Sequence, residues 1–551
     1  MFRFLAFVAA LALAVSPALA KPKSAPPAPL SETALNDHIR VLASDAFEGR
    51  GPATPGETKT VAYLTKAFQK AGLKPGNGKS YVQAVPLMES RVTNAAAFTV
   101  AGGAGPAITF GYKDKWVGWS KRTAPAIDLK DAPLVFVGYG VTALDKGWDD
   151  YKGADIQGKI AVILINDPDF ETSNGALDGP FGGRAMTYFG RWTYKFEEAA
   201  RQGAAGALII HETAPAAYPW AVVQSSWTGP QFDMVAGPDA DAKRLKVEGW
   251  IARGAAVEMF QRAGLDFVAL KAAAQKPGFK PVALNLSGST SLQSDVKKTV
   301  SDNVVAMIRG SEKPEEVVLF TAHWDHLGRC PPIDGDDICN GAVDNATGTA
   351  GLIEIARAFA KGPAPKRSVA FLAVTAEEKG LLGSAYYAAN PLFPLAKTVA
   401  NINMDGLAPG GATRDVVVVG AGKNDLEDVL AAAAKAQGRT IVPEEYPERG
   451  GYFRSDQFSL AKVGVPALFA RGGLDLVEGG VEAGKKADET YLARLYHKPQ
   501  DQWSTAFKAD GVALDAALMF AVGQTLANGT QWPAWKPGAE FKAIREASLK
   551  P

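Results

Sequence analysis

Between Val317 and Asp405 the chain passes through short apolar segments, each ending in residues able to hold a divalent ion. VVLFTAHWD, GAVDNATG, VAFLAVTAEEKG and NINMDG follow in that order and finish on His323 and Asp325, Asp344, Glu377 and Glu378, and Asp405. Helical patterns separate them: GTAGLIEIARAFAKG sets Leu352, Ile355 and Phe359 on one face, and LLGSAYYAA follows SVAFLAV. Continuous apolar strands alternating with amphipathic helices indicate a buried, largely parallel sheet. The predicted fold class is α/β, with a mixed, largely parallel central sheet covered by helices on both faces. In an open sheet of this kind the working groups lie beyond the carboxyl ends of the strands. Strand ends can therefore bring these acids and His323 into one crevice.

The rest of the chain arranges itself around that block. Residues 1–20, MFRFLAFVAALALAVSPALA, combine an early Arg3, an apolar core, Pro17 and a small-x-small ending at Ala20. This is the pattern of a signal peptide, and the apolar run is short of the roughly 20 residues a spanning helix needs. The sequence thus predicts a periplasmic or extracellular protein with no membrane anchor after cleavage. Residues 21–30 are a Pro-rich leader. SETALNDHIRVLA and ETKTVAYLTKAFQKAGL read as helices joined by a Gly/Pro loop in which Glu48 and Arg50 are candidate structural residues. From Lys115 to Thr290 short apolar runs such as PLVFVGYGV and KIAVILIN dominate, with one helical stretch, YKFEEAARQGAAG. We read 31–114 and 291–540 as one α/β unit interrupted by a β-rich insertion at 115–290.

With 59 Lys and Arg against 58 Asp and Glu, the chain has no excess positive charge for nucleic acid. Its two cysteines, Cys330 and Cys339, share one loop. Paired, they would close a ring contributing about 2 to 3 kcal/mol; unpaired, they would be free thiols or soft ligands.

Each candidate ligand also has an ordinary reading. In an extended segment His323 and Asp325 face the same way, so the Asp325 carboxylate could fix the imidazole tautomer, or the two could form a simple surface pair. Asp344 could bridge two ions or cap the helix that follows. Adjacent side chains at a strand end diverge, so Glu377 and Glu378 should differ in role, one ligating while the other moves a proton. His326 should point away from His323. Of the remaining imidazoles, His38 and His211 occupy ordinary helix and strand contexts, which leaves His497, in LYHKPQD.

Taken in order, the set resembles the M28 family of zinc peptidases. The family pattern of HxD, a DN turn, EE, an Asp after NMD and a final His is matched by AHWD, AVDNATG, AEE, NMDG and YHKPQD. The similarity covers roughly Ser31–Asp114 and Asp302–Leu526, and the insertion resembles a protease-associated domain through GKIAVILI and EEAARQGAAGALII. The resemblance implies two zinc ions per chain, one held by His323 and Asp405, one by Glu378 and His497, and both by Asp344. It makes Glu377 the general base and Asp325 the orienter of His323. It gives Tyr452, ahead of Ser455 and Asp456, a place at the oxyanion, and it implies a cis peptide after Asp344. The implied activity is that of an aminopeptidase on peptides. A carboxypeptidase or dipeptidase, a glutaminyl cyclase, and a catalytically silent binding protein on the same fold stand as alternatives. Arg454 could receive a substrate carboxylate or pair with Asp456. MTYFGRWTYK, Met186 to Lys195, could form a rim at the crevice or pack as core. The oligomeric state is not legible.

Overall fold

The computed structural model describes residues 30–103, 105–408 and 410–550. The expected signal peptide at 1–20 and all but the last residue of the expected leader at 21–30 lie outside them. No helix among the described residues is long and apolar enough to cross a membrane.

The α/β unit is built on a mixed sheet whose middle is parallel. Arg367–Val374, Lys313–His323, Thr398–Asn403 and Ala467–Gly472 lie side by side in parallel. Asp415–Val418 joins antiparallel with Thr440–Val442 outside it, and the end of Val282–Ile308 pairs on the other side. Strand residues alternate between the two faces, as the two-residue period requires. Val318, Phe320 and Ala322 enter a core shared with Leu35, Phe68, Leu352 and Leu518. Val317 and Leu319 enter the opposite core with Tyr387 and Leu460. Helices Glu32–Leu42, Pro55–Lys70, Thr347–Lys361 and Asp510–Asn528 supply the first layer, and Leu382–Ala389 and Gln457–Lys462 the second. The α/β sandwich expected from the apolar runs is present.

The 27-residue strand Val282–Ile308 pairs along much of its length with Val82–Ala95 and runs out of this sheet into the inserted unit. There Ile160–Leu164, Gly206–His211 and Val247–Ala252 are parallel, flanked by Ala126–Phe136 and Trp116–Trp119. Phe98, Val100 and Phe110 pack into the core of this unit, so packing changes hands upstream of Lys115. The single helix expected between 115 and 290 is one of six among the described residues, Arg253–Arg262 and Phe267–Ala274 included. The added helices are short; Arg253–Arg262 buries only Ala255, Ala256, Met259 and Phe260, too brief a stripe to establish a helical period.

The two units are docked through named contacts. Tyr188 of the MTYFGRWTYK stretch sits 5.0 Å from Phe458 and 6.3 Å from Phe453, ring to ring. Glu197 meets Lys462 at 2.7 Å. The stretch serves both readings: Tyr188 and Tyr194 are buried, while Arg191, Trp192 and Thr193 line the crevice.

Candidate metal centre

His323 is the last residue of Lys313–His323, Glu377 and Glu378 follow Arg367–Val374, and Asp405 follows Thr398–Asn403. All four stand at carboxyl ends of parallel strands; Glu377, Glu378 and Asp405 line a crevice of about 1540 Å³ between the units, while His323 is buried and not part of its lining. Asp344 comes from a distorted turn, Ala342–Ala346, ahead of Thr347–Lys361. The Asp344–Asn345 peptide is cis, as the family resemblance implies. Asn345 ties this turn down, donating to the Met404 carbonyl (2.9 Å) and accepting from the Gly348 and Gly406 amides. At Gly348 an added Cβ would lie 2.4 Å from Asn345 Oδ1, so the approach requires glycine.

The two carboxylate oxygens of Asp344 face opposite ways. Oδ1 lies 3.3 Å from His323 Nε2, and Oδ2 lies 3.3 Å from His497 Nε2. Asp405 Oδ1 is 3.2 Å from His323 Nε2, and Glu378 Oε2 is 3.1 Å from His497 Nε2. Possible ligand atoms of His323, Asp344 and Asp405 all fall within 4.8 Å of one another. So do those of His326, Asp344 and Glu378, which makes His326 a second imidazole at the Glu378 end. Its ring contacts the other Glu378 oxygen, Nδ1 to Oε1 at 2.6 Å, and its Nε2 has no partner. His326 thus lies away from His323, as expected, but within the site.

Other expectations are altered by the geometry. The Nδ1 of His323 meets the Asp325 backbone carbonyl at 3.1 Å, whereas the Asp325 carboxylate stands at 3.9 Å. That carboxylate instead accepts from the amides of Glu377 (3.1 Å) and Glu378 (3.4 Å), holding the strand end that carries both acids. Tyr452 is a correction. It turns into the core between the units with Phe453 and Phe458, its hydroxyl is unpartnered there, and it does not line the crevice. The Gly450–Gly451 turn before it sets that direction, with Gly450 at φ 61°. Phenols that do line the crevice include Tyr491 and Tyr496, and the Tyr496 ring stacks on His497 at 3.8 Å. Arg454 does not pair with Asp456: the acid is fully buried and the guanidinium is exposed.

Supporting residues were only partly legible. Arg50 is buried and donates to the carbonyls of Trp324 (2.8 Å), Leu42 (2.6 Å), Asn340 (2.6 Å) and Gly341 (2.8 Å), locking the segments that carry the site. Asp501 accepts from the amides of Val343 and Asp344 at 3.0 and 3.1 Å. Ser455 Oγ donates to Asp405 Oδ2 at 2.5 Å. Cys330 and Cys339 are disulfide-bonded in the adjoining hairpin.

Charge is concentrated here. Asp325, Asp344, Glu377, Glu378, Asp405 and Asp456 surround His323, His326, His497 and Arg50. Burial opposes a charged imidazole at His323, yet Asp405 and Glu377 hold it well above its ordinary value. His497 is likewise held at about 10 by Glu378 and Asp344, against burial. Burial lifts Asp325 and Asp456 to about 7, and it lifts Glu377 well up, with Glu378 and Asp405 adding to it. The acids are set against one guanidinium and three imidazoles, and buried acids are costly unless compensated by positive charge. A donor set of imidazole nitrogen and carboxylate oxygen, split by Asp344 into two groups, fits a pair of divalent ions.

Fold and site together give an α/β unit with acids and imidazoles gathered at the carboxyl ends of its parallel strands. Residues 303–521 match the model of Peptidase family M28. A "Probable zinc metalloprotease" of Leptosphaeria maculans is 37% identical over 139 residues, 25% of this chain and 29% of that protein. Aminopeptidase NAALADL1 of Mus musculus is 35% identical over 138 residues, 23% of this chain and 17% of that protein. The matches thus span less than a third of either relative. Among solved structures, an aminopeptidase from Aneurinibacillus sp. strain AM-1 is similar at 19% identity and a TM-score of 0.48, covering 91% of this chain and 95% of that one.

Proposed function

We propose that the chain is an exported, zinc-dependent aminopeptidase that removes N-terminal residues from short peptides at a two-ion centre. The division of Asp344 carries this reading, with Oδ1 toward His323 and Oδ2 toward His497. His323 and Asp405 would hold one ion, Glu378 and His497 the other, and Asp344 both. His497 is preferred to His326 because its Nε2 addresses Asp344 and Glu378 together from the crevice side. His326, fully buried behind Glu378, orients that carboxylate. When bound, the ions lower the pKa of water and polarise a carbonyl.

The chain's own residues supply the proton path and the geometry. Glu377 lines the crevice and, among the described residues, no side chain hydrogen-bonds its carboxylate. Burial favours its protonated form, so it can accept a proton from water and return it to the leaving amine. Asp325, through the amides of Glu377 and Glu378, fixes the base and its neighbour in one orientation. The Tyr496 phenol is held protonated by burial and by Asp344 and Glu378, and stands ready as a hydrogen-bond donor at the crevice. The acid-rich floor suits a free α-ammonium group. The inserted unit walls the crevice and restricts peptide length. Export follows from the pattern of residues 1–20, and the Cys330–Cys339 bond suits an oxidising compartment.

The test is hydrolysis of aminoacyl and N-acetylated peptides by protein of measured zinc content, with and without a chelator. Chelator-sensitive cleavage of only the free-amine peptides, at two zinc per chain, is the expected result. Conversion of an N-terminal Gln peptide to its pyroglutamyl form with loss of ammonia and one zinc, or no turnover with full zinc loading, would contradict it.

A further inference from the structure

The crevice wall is shared by both units, and its cations are not equally satisfied. Lys121 is paired with Glu248 at 3.6 Å and Lys462 with Glu197 at 2.7 Å. Arg191, from the inserted unit, and Arg454, from the α/β unit, also line the wall. Among the described residues neither has a carboxylate within 4.0 Å. Nε of Arg191 is buried with no hydrogen-bond acceptor.

Docking holds the two arginines on neighbouring segments. The Met186 amide donates to the Pro447 carbonyl at 3.2 Å, setting 186–191 against 447–454. The Arg191 stem crosses Gly450, where an added Cβ would lie 3.4 Å from Arg191 Cδ and 2.8 Å from Met186 Sδ. A Cβ at 450 would therefore crowd the Met186 thioether and touch the Arg191 stem. Burial, with the charge of Arg454 adding to it, lowers Arg191 to about 10, and no carboxylate offsets this. Arg454 lines the same crevice as Tyr496, which stacks on His497. Arg449, Arg471 and Lys379 also line the wall without a carboxylate within 4.0 Å, but only Arg191 and Arg454 are brought together across the junction of the two units. Two guanidiniums left without counterions at an open cleft are complementary to a planar, doubly accepting anion.

We propose that Arg191 and Arg454 form a subsite for a substrate carboxylate, through which the inserted unit selects peptides carrying that charge close to the scissile bond. The proposal rests on the peptidase reading above. The carboxylate can come from the C-terminus of a di- or tripeptide or from an Asp or Glu side chain.

Two substrate pairs separate these sources in the full-length, zinc-loaded protein: Leu-Gly-Gly as acid and as C-terminal amide, and Leu-Glu-Gly amide against Leu-Gln-Gly amide. One member of at least one pair, the charged one, should be preferred in kcat/KM by about tenfold or more, the scale of a charge-assisted hydrogen bond. The pair that shows the preference names the source. Arg191→Gln and Arg454→Gln should each shrink that ratio, mainly through KM, and Arg191→Lys should retain part of it. Ratios near one in the unmodified protein, or a ratio unchanged in Arg191→Gln, would overturn the subsite. Calorimetric binding of the same acid and amide peptides to Glu377→Gln protein reads the subsite without turnover. Equal affinity for both members of each pair overturns it there too. Absence of turnover with charge-selective, Arg191-dependent binding would instead count against the peptidase reading alone.

Discussion

The two ends of the metal centre are built differently. At one end His323 is 1% exposed and comes from the buried sheet. Its carbonyl accepts from Thr349 at 2.8 Å, and its partner Asp405 is clamped by Ser455. At the other end His497 is 36% exposed, comes from a loop with φ 58°, and is steadied by stacking on Tyr496. Of the two proposed ion positions, one would thus be pre-formed by the sheet and the other completed by a loop. Unequal zinc affinities should follow, because a site whose ligands are fixed before binding loses less freedom when the ion arrives.

Asp344 belongs to both ends, so Asp344→Ala should erase the difference by emptying both. Turnover should fall by about a thousandfold or more, with zinc near zero by elemental analysis. Glu377→Gln removes the base but no ligand. Turnover should drop by about 10²- to 10⁴-fold while zinc stays near two per chain, and a loss of zinc would mean Glu377 is a ligand instead. His497→Ala should keep the sheet-built position loaded and lose the other, whereas His323→Ala should lose the tighter ion. Competitive chelator titration of both variants reads this directly, and equal behaviour would break the distinction. Arg50→Met leaves four buried carbonyls without their donor and loosens both ends. A loss of about 3 kcal/mol or more in denaturant unfolding is expected.

The smallest effect lies away from the site. Glu354 is held at about 2, since hydrogen bonds from His38 and Arg357 outweigh burial. A depressed carboxylate contributes stability that is fully present above its unfolded value of about 4.5 and is lost as pH falls toward 2. Glu354→Gln should flatten that part of the acid-unfolding profile by on the order of 1 to 2 kcal/mol, leaving the two ends of the centre unequal as before.

What the sequence disclosed tracks the same contrast. His323, Glu377, Glu378 and Asp405 were legible because a buried strand fixes both the apolar run and the point where it ends. His497 needed the family pattern, since nothing local distinguishes a loop imidazole. Tyr452 was misassigned because a Gly-Gly turn can send the next side chain either way, and packing against Phe453 and Phe458 decided it. Tyr496, next to the ligand, was passed over, as was the full reach of Arg50, whose four acceptors lie up to 291 residues away. The Asp325 contact was read as carboxylate to imidazole, but the backbone carbonyl took that place. The short helices of the inserted unit bury too few residues to leave a period.

The central claim is that Asp344 is shared by two ions. Diffraction from zinc-soaked crystals on either side of the zinc absorption edge tests it most directly. Two anomalous peaks about 3.5 to 4 Å apart, one beside each Asp344 oxygen, are predicted. A single peak, or two peaks neither of which touches Asp344, would contradict it.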